Sequence, residues 1–520
     1  MDYAYGDMQI LTRELEWTLE ANSAQSTTML LMPLLNALDV KSCLVLLLIS
    51  LLVFDFWKSK NAPNFPPGPW GFPFLGNVFI GFDCRAMDEV AAKFGNIFSL
   101  RVGYDKIVLV SGYEWVKEVL VTQGDYFLDC LISPPFKEVF QGNGISLSSG
   151  YKWRKQRHFT AFHLKAFAEG KNALEFHIQK ECLYLCQSFE EQQGSPFNPH
   201  DILNRATANV IGCFAFGKRF DDNFIDFQSL LLNSDNMFIE NIPQIQFYNT
   251  FPGLVKRFYG PHKTIFSNYT KLTAFIKKQI EKHKKDWDPF DHRDFIDAYI
   301  GEIDKRRKDS QAAFTVDNLA CITVDLFKTG TQTMTDTLQW ALLLMIKYPN
   351  VQKKVQDEIN CVIGKWRQPC LADRASMPYT DAVLHETQRV INIFPLTAPR
   401  LTSRDTALAG FFIPKGTLVI CNLSSVLKDS SQWDKPDQFY PEHFLDDQKN
   451  FRKRKAFYPF SAGKRSCVGE QLARNTLFLF FISLLQKFSF SAPEGLEPRL
   501  EDQEQVKTSH KPSQICVSLR

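Results

Sequence analysis

The sequence predicts a mainly helical α+β domain behind a short apolar N-terminal segment. Three observations predict it. From about residue 111 to 390 the apolar spacing is mostly that of helices. Strand signals are confined to a hairpin at residues 96–111 and to short runs at Phe412–Pro414 and Leu418–Leu423. Cys43 to Phe54 is continuously apolar apart from Ser50.

With 520 residues, 45% hydrophobic content and 46 Phe, the chain can fill one large domain or several smaller ones. A net charge of +3 is near neutral, which argues against a nucleic-acid partner. The 12 cysteines are scattered without a C-x-x-C pair. Cys182 and Cys186 lie one helical turn apart, but no matching His or Cys pair follows. Zinc and a disulfide framework are therefore both disfavoured, and reduced thiols on a cytosol-facing domain fit best.

Residues 1–28 are polar and acidic and read as a disordered leader, with Met29 and Met32 as alternative starts. Residues 29–57 read as the membrane-anchor region. The apolar run falls short of the about 20 residues a bilayer span needs. Leu30–Leu38 extends it as an interfacial helix, although Asn36, Asp39 and Lys41 interrupt the hydrophobicity. A cleaved signal peptide is the rival reading, but no small-residue cleavage site follows, and Lys58 and Lys60 do. Residues 1–40 hold six acids and one Arg, so the basic flank is C-terminal and the main domain faces the cytosol. Residues 58–69, with Pro63-Asn64-Phe65-Pro66-Pro67-Gly68-Pro69, read as a stiff hinge. Residues 70–520 form the main domain.

Asn96–Val102 and Lys106–Ser111 read as a hairpin around a Gly-Tyr-Asp turn. Trp153 and Arg157 share one face of an amphipathic helix. Residues 235–266 are rich in Ile, Phe, Tyr and Pro, as in Phe238-Ile239 and Phe247–Pro252. They are either a loop over the core or a roof that touches the membrane and gates an apolar pocket. Asp317–Tyr348 is a long helix that stops before Pro349. Thr329 and Thr333 lie on one of its faces, where a hydroxyl can bond back to the i−4 carbonyl. Glu386 and Arg389 face one way on a further helix, a pairing that is weak evidence by itself. Residues 470–488 form an apolar helix.

The chemistry concentrates in Phe460-Ser461-Ala462-Gly463-Lys464-Arg465-Ser466-Cys467-Val468-Gly469. Five fixed positions in F-x-x-G-x-R-x-C-x-G arise by chance in about one chain in ten thousand of this length. A thiolate that binds haem iron axially needs positive polarity and backbone donors around its sulfur. Cys467 sits before a helix start, where free N–H groups point toward an anion. Gly463 permits a tight turn, and Gly469 permits close approach of backbone and macrocycle. Arg465 can fork onto a haem propionate, and Phe460 can shield the sulfur.

This motif resembles the cysteine-ligand signature of the cytochrome P-450 superfamily, and the resemblance covers roughly residues 60–520. It is most similar to microsomal family 2. The resemblance implies that superfamily's fold: a large helical domain with a small β-rich domain, here behind an N-terminal membrane anchor. It implies haem b held at Cys467, with Trp153, Arg157, Arg400 and Arg465 on the propionates. It implies an oxygen-binding groove at Thr329–Thr333, with Thr333 as the proton-relay hydroxyl beside Gln332. Glu386, Arg389 and His443 would lock the core behind the haem, with His443 standing where the family more often has Arg. Substrate contacts would come from Phe327, Lys328, Thr329, Phe394 and Leu396, and residues 235–266 would form the membrane-touching roof.

The chain departs from A-G-x-D/E-T-T at Thr329, Gln332 and Met334, and Lys328 replaces a usually small residue. An amide at Gln332 cannot shuttle protons as an acid can. The implied activity is a monooxygenase of the endoplasmic reticulum membrane, its catalytic domain facing the cytosol. It would insert one atom of O2 into xenobiotics, fatty acids such as arachidonate, or steroids. Electrons would come from NADPH through a flavoprotein reductase, with cytochrome b5 as a further donor. A basic surface at Lys152, Arg154, Lys155, Arg452–Lys455 and Lys464 would dock the reductase. The rival readings are a reductase-independent isomerase of lipid peroxides and a non-catalytic haem-binding protein.

Overall fold

The computed structural model describes residues 39–81, 84–131, 134–169, 173–219, 248, 252–258, 260–306, 308–495 and 514–520. The leader at 1–28 lies outside the described residues, as do Leu30–Leu38 and most of the roof segment at 235–266. The chain forms two compact units, one carrying the first helix and one carrying every other element.

The first helix, α1, is Val40–Ser59. The apolar run alone is too short for a span, yet the helix reaches 20 residues because polar residues close its ends. Asp39 does not interrupt it but caps it, accepting from the Ser42 N–H at 2.8 Å. With a mean hydropathy of 2.1, α1 is long and apolar enough to cross a membrane.

In the second unit, the proline-rich stretch is docked on the sheet. Ser99 N–H donates to the Pro67 carbonyl at 2.7 Å and Ser99 Oγ to the Pro66 carbonyl at 2.8 Å. A five-stranded sheet has the order β1-β2-β7-β4-β3. The hairpin β1 (Ile97–Val102) and β2 (Asp105–Val110) is antiparallel, with Phe98 opposite Leu109. β7 (Leu418–Cys421) runs parallel to β2, and the two-residue strands β3 (Asp129–Cys130) and β4 (Arg400–Leu401) complete the sheet. β5 (Thr406–Leu408) pairs with β6 (Phe411–Ile413), and β8 (Phe488–Ser491) with β9 (Cys516–Leu519). The expected strand at 418–423 ends early, because Asn422 turns to cap a short helix, Leu423–Leu427, through the Ser425 N–H.

The main helices are α2 (Cys84–Phe94), α3 (Pro134–Phe140), α4 (Gly150–Glu169), α5 (Ala173–Glu190) and α6 (His200–Phe216). They continue with α7 (Pro261–Lys285), α8 (Phe295–Lys305), α9 (Val316–Lys347), α10 (Pro349–Val362), α11 (Pro378–Ile391) and α12 (Glu470–Lys487). Residues Leu477 to Leu485 of α12 are all buried, so this helix has no solvent face along that stretch. Each large apolar side chain there contributes about 1.5–3 kcal/mol. α9 packs against α6, α7, α11 and α12, which makes it the spine of the helical core.

α11 carries a buried ion pair. Arg389 Nε and Nη2 fork onto Glu386 at 2.8 Å each. Its remaining N–H groups reach the carbonyls of Leu427, Pro436 and Gln438 at 2.7–2.8 Å. His443 completes the site. Its Nε2 accepts from the Lys435 N–H at 3.2 Å, which assigns the ring hydrogen to Nδ1, 3.2 Å from both Glu386 oxygens.

A second polar junction joins α7 to α8. His283 Nε2 lies 3.0 Å from Asp294 Oδ2, while Asp294 Oδ1 caps α8 and Arg293 forks onto Asp297. Burial opposes charge on His283, but the Asp294 hydrogen bond, the Gln279 carbonyl and the two carboxylates outweigh it and raise its pKa. A raised folded-state pKa stabilises the fold fully below the unfolded value of about 6.5 and is lost as pH rises through the folded value. His283→Gln should therefore lower the unfolding midpoint more at about pH 6 than at about pH 8.5. An equal loss at both would exclude the charged pair.

Candidate functional site

The loop before α12 presents Cys467. A short 3-10 turn at Gly463–Arg465 is closed by Ser466 N–H to the Gly463 carbonyl at 3.0 Å, and Cys467 N–H donates to the Phe460 carbonyl at 2.9 Å. Gly463 has φ +74°, and a Cβ there would stand 1.8 Å from the Leu120 carbonyl oxygen. This glycine is demanded by the protein itself. Gly469 differs: it is the N-cap of α12 with φ −94°, and a Cβ on it would meet nothing within 4 Å. No contact inside the protein requires a glycine there, as expected if a bound group fills that space.

Cys182, Cys186, Cys213, Cys321 and Cys421 are buried. Burial pushes the thiols of Cys186, Cys213, Cys321 and Cys421 up to about 12, so they are inert. Cys467 keeps exposed surface, yet it stands in a recess, and the surrounding protein raises its pKa. The Gly469 N–H and the guanidinium groups of Arg157 and Arg474 pull the other way. Such a sulfur is reachable and surrounded by donors, and it lacks only a cation to become a thiolate.

Beside it, three guanidinium groups converge. Arg157 on α4 donates to the Ser466 carbonyl at 2.5 Å. Arg465 donates to the carbonyls of Leu128 at 2.6 Å and Ser148 at 2.5 Å, and lies 4.0 Å from the Trp153 ring centre. Arg400 on β4 is 5% exposed; among the described residues its Nε has no partner and its Nη1 reaches only Cys130 Sγ at 3.9 Å. Burial and repulsion from Arg400 and Arg157 bring Arg465 down to about 10. Leu120, Phe127, Arg400, Ala462 and Arg465 line a small cavity here. Buried cations without a carboxylate partner are costly, and this set suits a ligand with two carboxylates. The haem implied by the motif is such a ligand, and the residues fit it.

α9 supplies the opposite chemistry. The hydroxyls of Thr329, Thr333 and Thr337 each donate to the carbonyl four residues earlier, at 2.8, 2.7 and 2.7 Å. Asp325 ties α9 to the segment before α4, accepting from the N–H groups of Ile145 at 2.8 Å and Ser146 at 3.0 Å. That segment includes Ser148, which holds Arg465, so helix and arginine cluster are mechanically joined.

The structure corrects some expected site residues. Phe327 is fully buried and packs on Phe216 at 5.6 Å between ring centres, so it is core rather than a substrate contact. Leu396 packs against the sheet cluster, whereas Thr329 and Phe394 are exposed. Lys328 donates to Tyr269 Oη on α7 at 2.5 Å. The Gln332 amide is engaged by Asp336 and His200. Lys152 donates to Asn143 and Arg454 to the Gln432 carbonyl, so neither belongs to an exposed basic surface.

Arg474 went unpredicted. It pairs with Glu470 at 2.9 Å, lies 5.0 Å from the Phe460 ring centre, and donates to His385 Nε2 at 2.6 Å. Burial lowers the His385 pKa, which keeps that nitrogen an acceptor. The signal was the i,i+4 Glu470–Arg474 pair directly after the cysteine loop.

A family model described as Cytochrome P450 matches residues 66–517. Human cytochrome P450 2J2 is 44% identical over 471 residues, covering 90% of this chain and 94% of the relative. Cytochrome P450 2J1 of Oryctolagus cuniculus is 44% identical over 467 residues, covering 89% and 93%. Cytochrome P450 2D28 of Mesocricetus auratus is 42% identical over 488 residues, covering 91% and 96%.

The two glycines separate folding from ligand binding. Gly463→Ala should abolish recovery of folded protein. Gly469→Ala should leave stability within about 1 kcal/mol but reduce haem bound per chain. Unchanged haem content in Gly469→Ala would show that no group approaches that backbone.

Proposed function

Because the chain belongs to the cytochrome P450 family of haem-thiolate monooxygenases, we propose that it inserts one oxygen atom of O2 into apolar substrates, namely xenobiotics, fatty acids such as arachidonate, or steroids. The reaction is hydroxylation or epoxidation, with electrons from NADPH delivered by a flavoprotein reductase and by cytochrome b5. The enzyme sits in the endoplasmic reticulum membrane through α1, its catalytic domain in the cytosol. The observation that carries the reading is Cys467, reachable and flanked by donors, beside a cluster of guanidinium groups that form no salt bridge to a carboxylate among the described residues.

In this reading Cys467 would hold the haem iron, and Trp153, Arg157, Arg400 and Arg465 would hold the propionates. The bound haem supplies iron, at which O2 is reduced and its O–O bond cleaved, a step that thiolate ligation favours. The Gly469 N–H, Arg157 and Arg474 favour the ionised sulfur against burial, and Phe460 would shield it from water. Thr333 must release its 2.7 Å bond to the Thr329 carbonyl before its hydrogen can point into the groove. Thr329 and Phe394 offer substrate-facing surface.

The reductase surface narrows to the exposed Arg154, Arg452, Lys453, Lys455 and Lys464. Lys464 already pairs with Asp125 at 2.5 Å, where Arg154 and Arg404 also act on the carboxylate.

Reduced protein with carbon monoxide should show the red-shifted Soret band of a thiolate-ligated haem. Cys467→Ala should abolish it, and a variant that kept the band would remove Cys467 from the site. Reversing charge at Arg452, Lys453 and Lys455 should slow the first electron transfer at low salt, with the difference shrinking as salt screens it. An unchanged low-salt rate would exclude this surface. Rearrangement of a lipid peroxide, with no NADPH-dependent O2 uptake, would establish the isomerase instead.

A further inference from the structure

α11 carries a second buried polar group next to the Glu386–Arg389 fork. His385 is 6% exposed and sits among the rings of Phe444, Phe451 and Phe457, at 5.3, 4.6 and 5.0 Å between centres. Its two nitrogens face opposite kinds of partner. Nδ1 lies 2.7 Å from the Asp381 carbonyl oxygen, which can only accept, and 3.3 Å from Asp381 Oδ1. Nε2 lies 2.6 Å from Arg474 Nη1 on α12, which can only donate. These partners assign the ring hydrogen to Nδ1 and leave Nε2 as an acceptor. The Asp381 carboxylate is in turn held by Arg374, whose Nε and Nη2 reach Oδ1 at 2.9 and 2.5 Å. A continuous chain of contacts, Arg374–Asp381–His385–Arg474, therefore runs through α11 to α12.

Arg474 stands between two acceptors. Its Nε and Nη2 each lie 2.9 Å from Glu470 Oε1, and the Glu470 side chain is 41% exposed. An i,i+4 pair with so exposed a carboxylate is weak, so Glu470 alone would hold the guanidinium loosely. His385 is the buried acceptor. Held by both, the guanidinium lies 5.4 Å from the Phe457 ring centre and 5.0 Å from that of Phe460. The Phe460 carbonyl accepts from the Cys467 N–H at 2.9 Å, so Arg474 packs on the residue against which the cysteine loop closes. Burial opposes charge on the Cys467 sulfur most, Glu470 adds to that, and Arg474 works against it. Which way the guanidinium points decides which of those two side-chain charges the sulfur feels more.

We propose that His385 is a positioning residue that, by accepting from Arg474, keeps the guanidinium turned inward against Phe460 and so raises the reduction potential of the haem held at Cys467. The inference rests on the reading of Cys467 as the haem ligand. A cation near a ligating sulfur lessens its donation to iron and favours the reduced state, as hydrogen bonds and charge around such ligands do in general. The step affected is the transfer of one electron from the reductase to iron, and no bond of the protein forms or breaks in it. α11 would then serve the cysteine loop twice, fixing its position through Arg389 and its charge environment through the neighbouring His385.

The test uses the full chain with haem. The reduction potential is measured by spectroelectrochemical titration and the iron–sulfur stretch by resonance Raman. Arg474→Gln can still donate to His385 but carries no charge. Its potential should fall, so that the ferrous-to-ferric ratio at a fixed poise drops severalfold, and its iron–sulfur stretch should rise. His385→Phe suits the aromatic surroundings but offers no acceptor, and it should shift both readouts in the same direction. His385→Gln restores an acceptor and should stay near the native values. In the Arg474→Gln background, His385→Phe should add nothing, because His385 acts only through the guanidinium.

Nitrogen NMR of the native ferrous carbonyl form gives a readout that needs no variant, and it stands even where a variant fails to load haem. It should place the His385 hydrogen on Nδ1. With the thiolate Soret band present in the native protein, three results would overturn the inference alone: a potential unmoved by Arg474→Gln and His385→Phe, equal shifts in His385→Phe and His385→Gln, or a hydrogen on His385 Nε2. Absence of that Soret band from the native protein would overturn the haem-ligand reading and the inference with it.

Discussion

The Glu386–Arg389 fork is the constraint on which the lower half of the main unit depends. Both side chains are fully buried, and every N–H of the guanidinium is committed to the carboxylate or to a carbonyl of the 427–438 segment. That segment contains Trp433, itself 1% exposed, under both Arg389 and Arg454. Removing either partner leaves an uncompensated charge in the core, which costs about 3–5 kcal/mol. The lock explains how a long run of irregular chain between β7 and α12 can be rigid enough to present a cysteine at a fixed place. His443 adds a ring nitrogen 3.2 Å from both Glu386 oxygens.

On the other side of the cysteine loop the logic is inverted. At Glu386 charges cancel, whereas at Arg157, Arg400 and Arg465 they accumulate. The first site is finished by the chain itself, and the second is finished only by something added to it. α9 links to the second site through Asp325, which ties this helix to the segment that holds Arg465.

Much of this was legible in the sequence where the information is local. The cysteine loop, the hairpin, the long helix and the Glu386–Arg389 pair all rest on short spacings. What was misread depends on which way a helix face turns. Phe327 is apolar on the motif-bearing helix, and only the packing of α6 shows that it faces Phe216. Lys152 and Arg454 look like surface charges until their carbonyl and amide partners are seen. The contact of the Gln332 amide with His200 was missed because the two lie more than a hundred residues apart in sequence. The strands β3 and β4 are two residues each, too short for any periodicity to register.

The self-repelling arginine cluster has a consequence for the life of the polypeptide in the cell. In the proposed reading, a chain that folds before its cofactor arrives carries the strain of those like charges, and binding relieves it. Stability gained in this way grows with free ligand concentration, as RT ln(1 + [L]/Kd). The amount of this protein that survives quality control is therefore coupled to the supply of haem. A shortage would lower its abundance through turnover of unfilled chains, before any change in transcription.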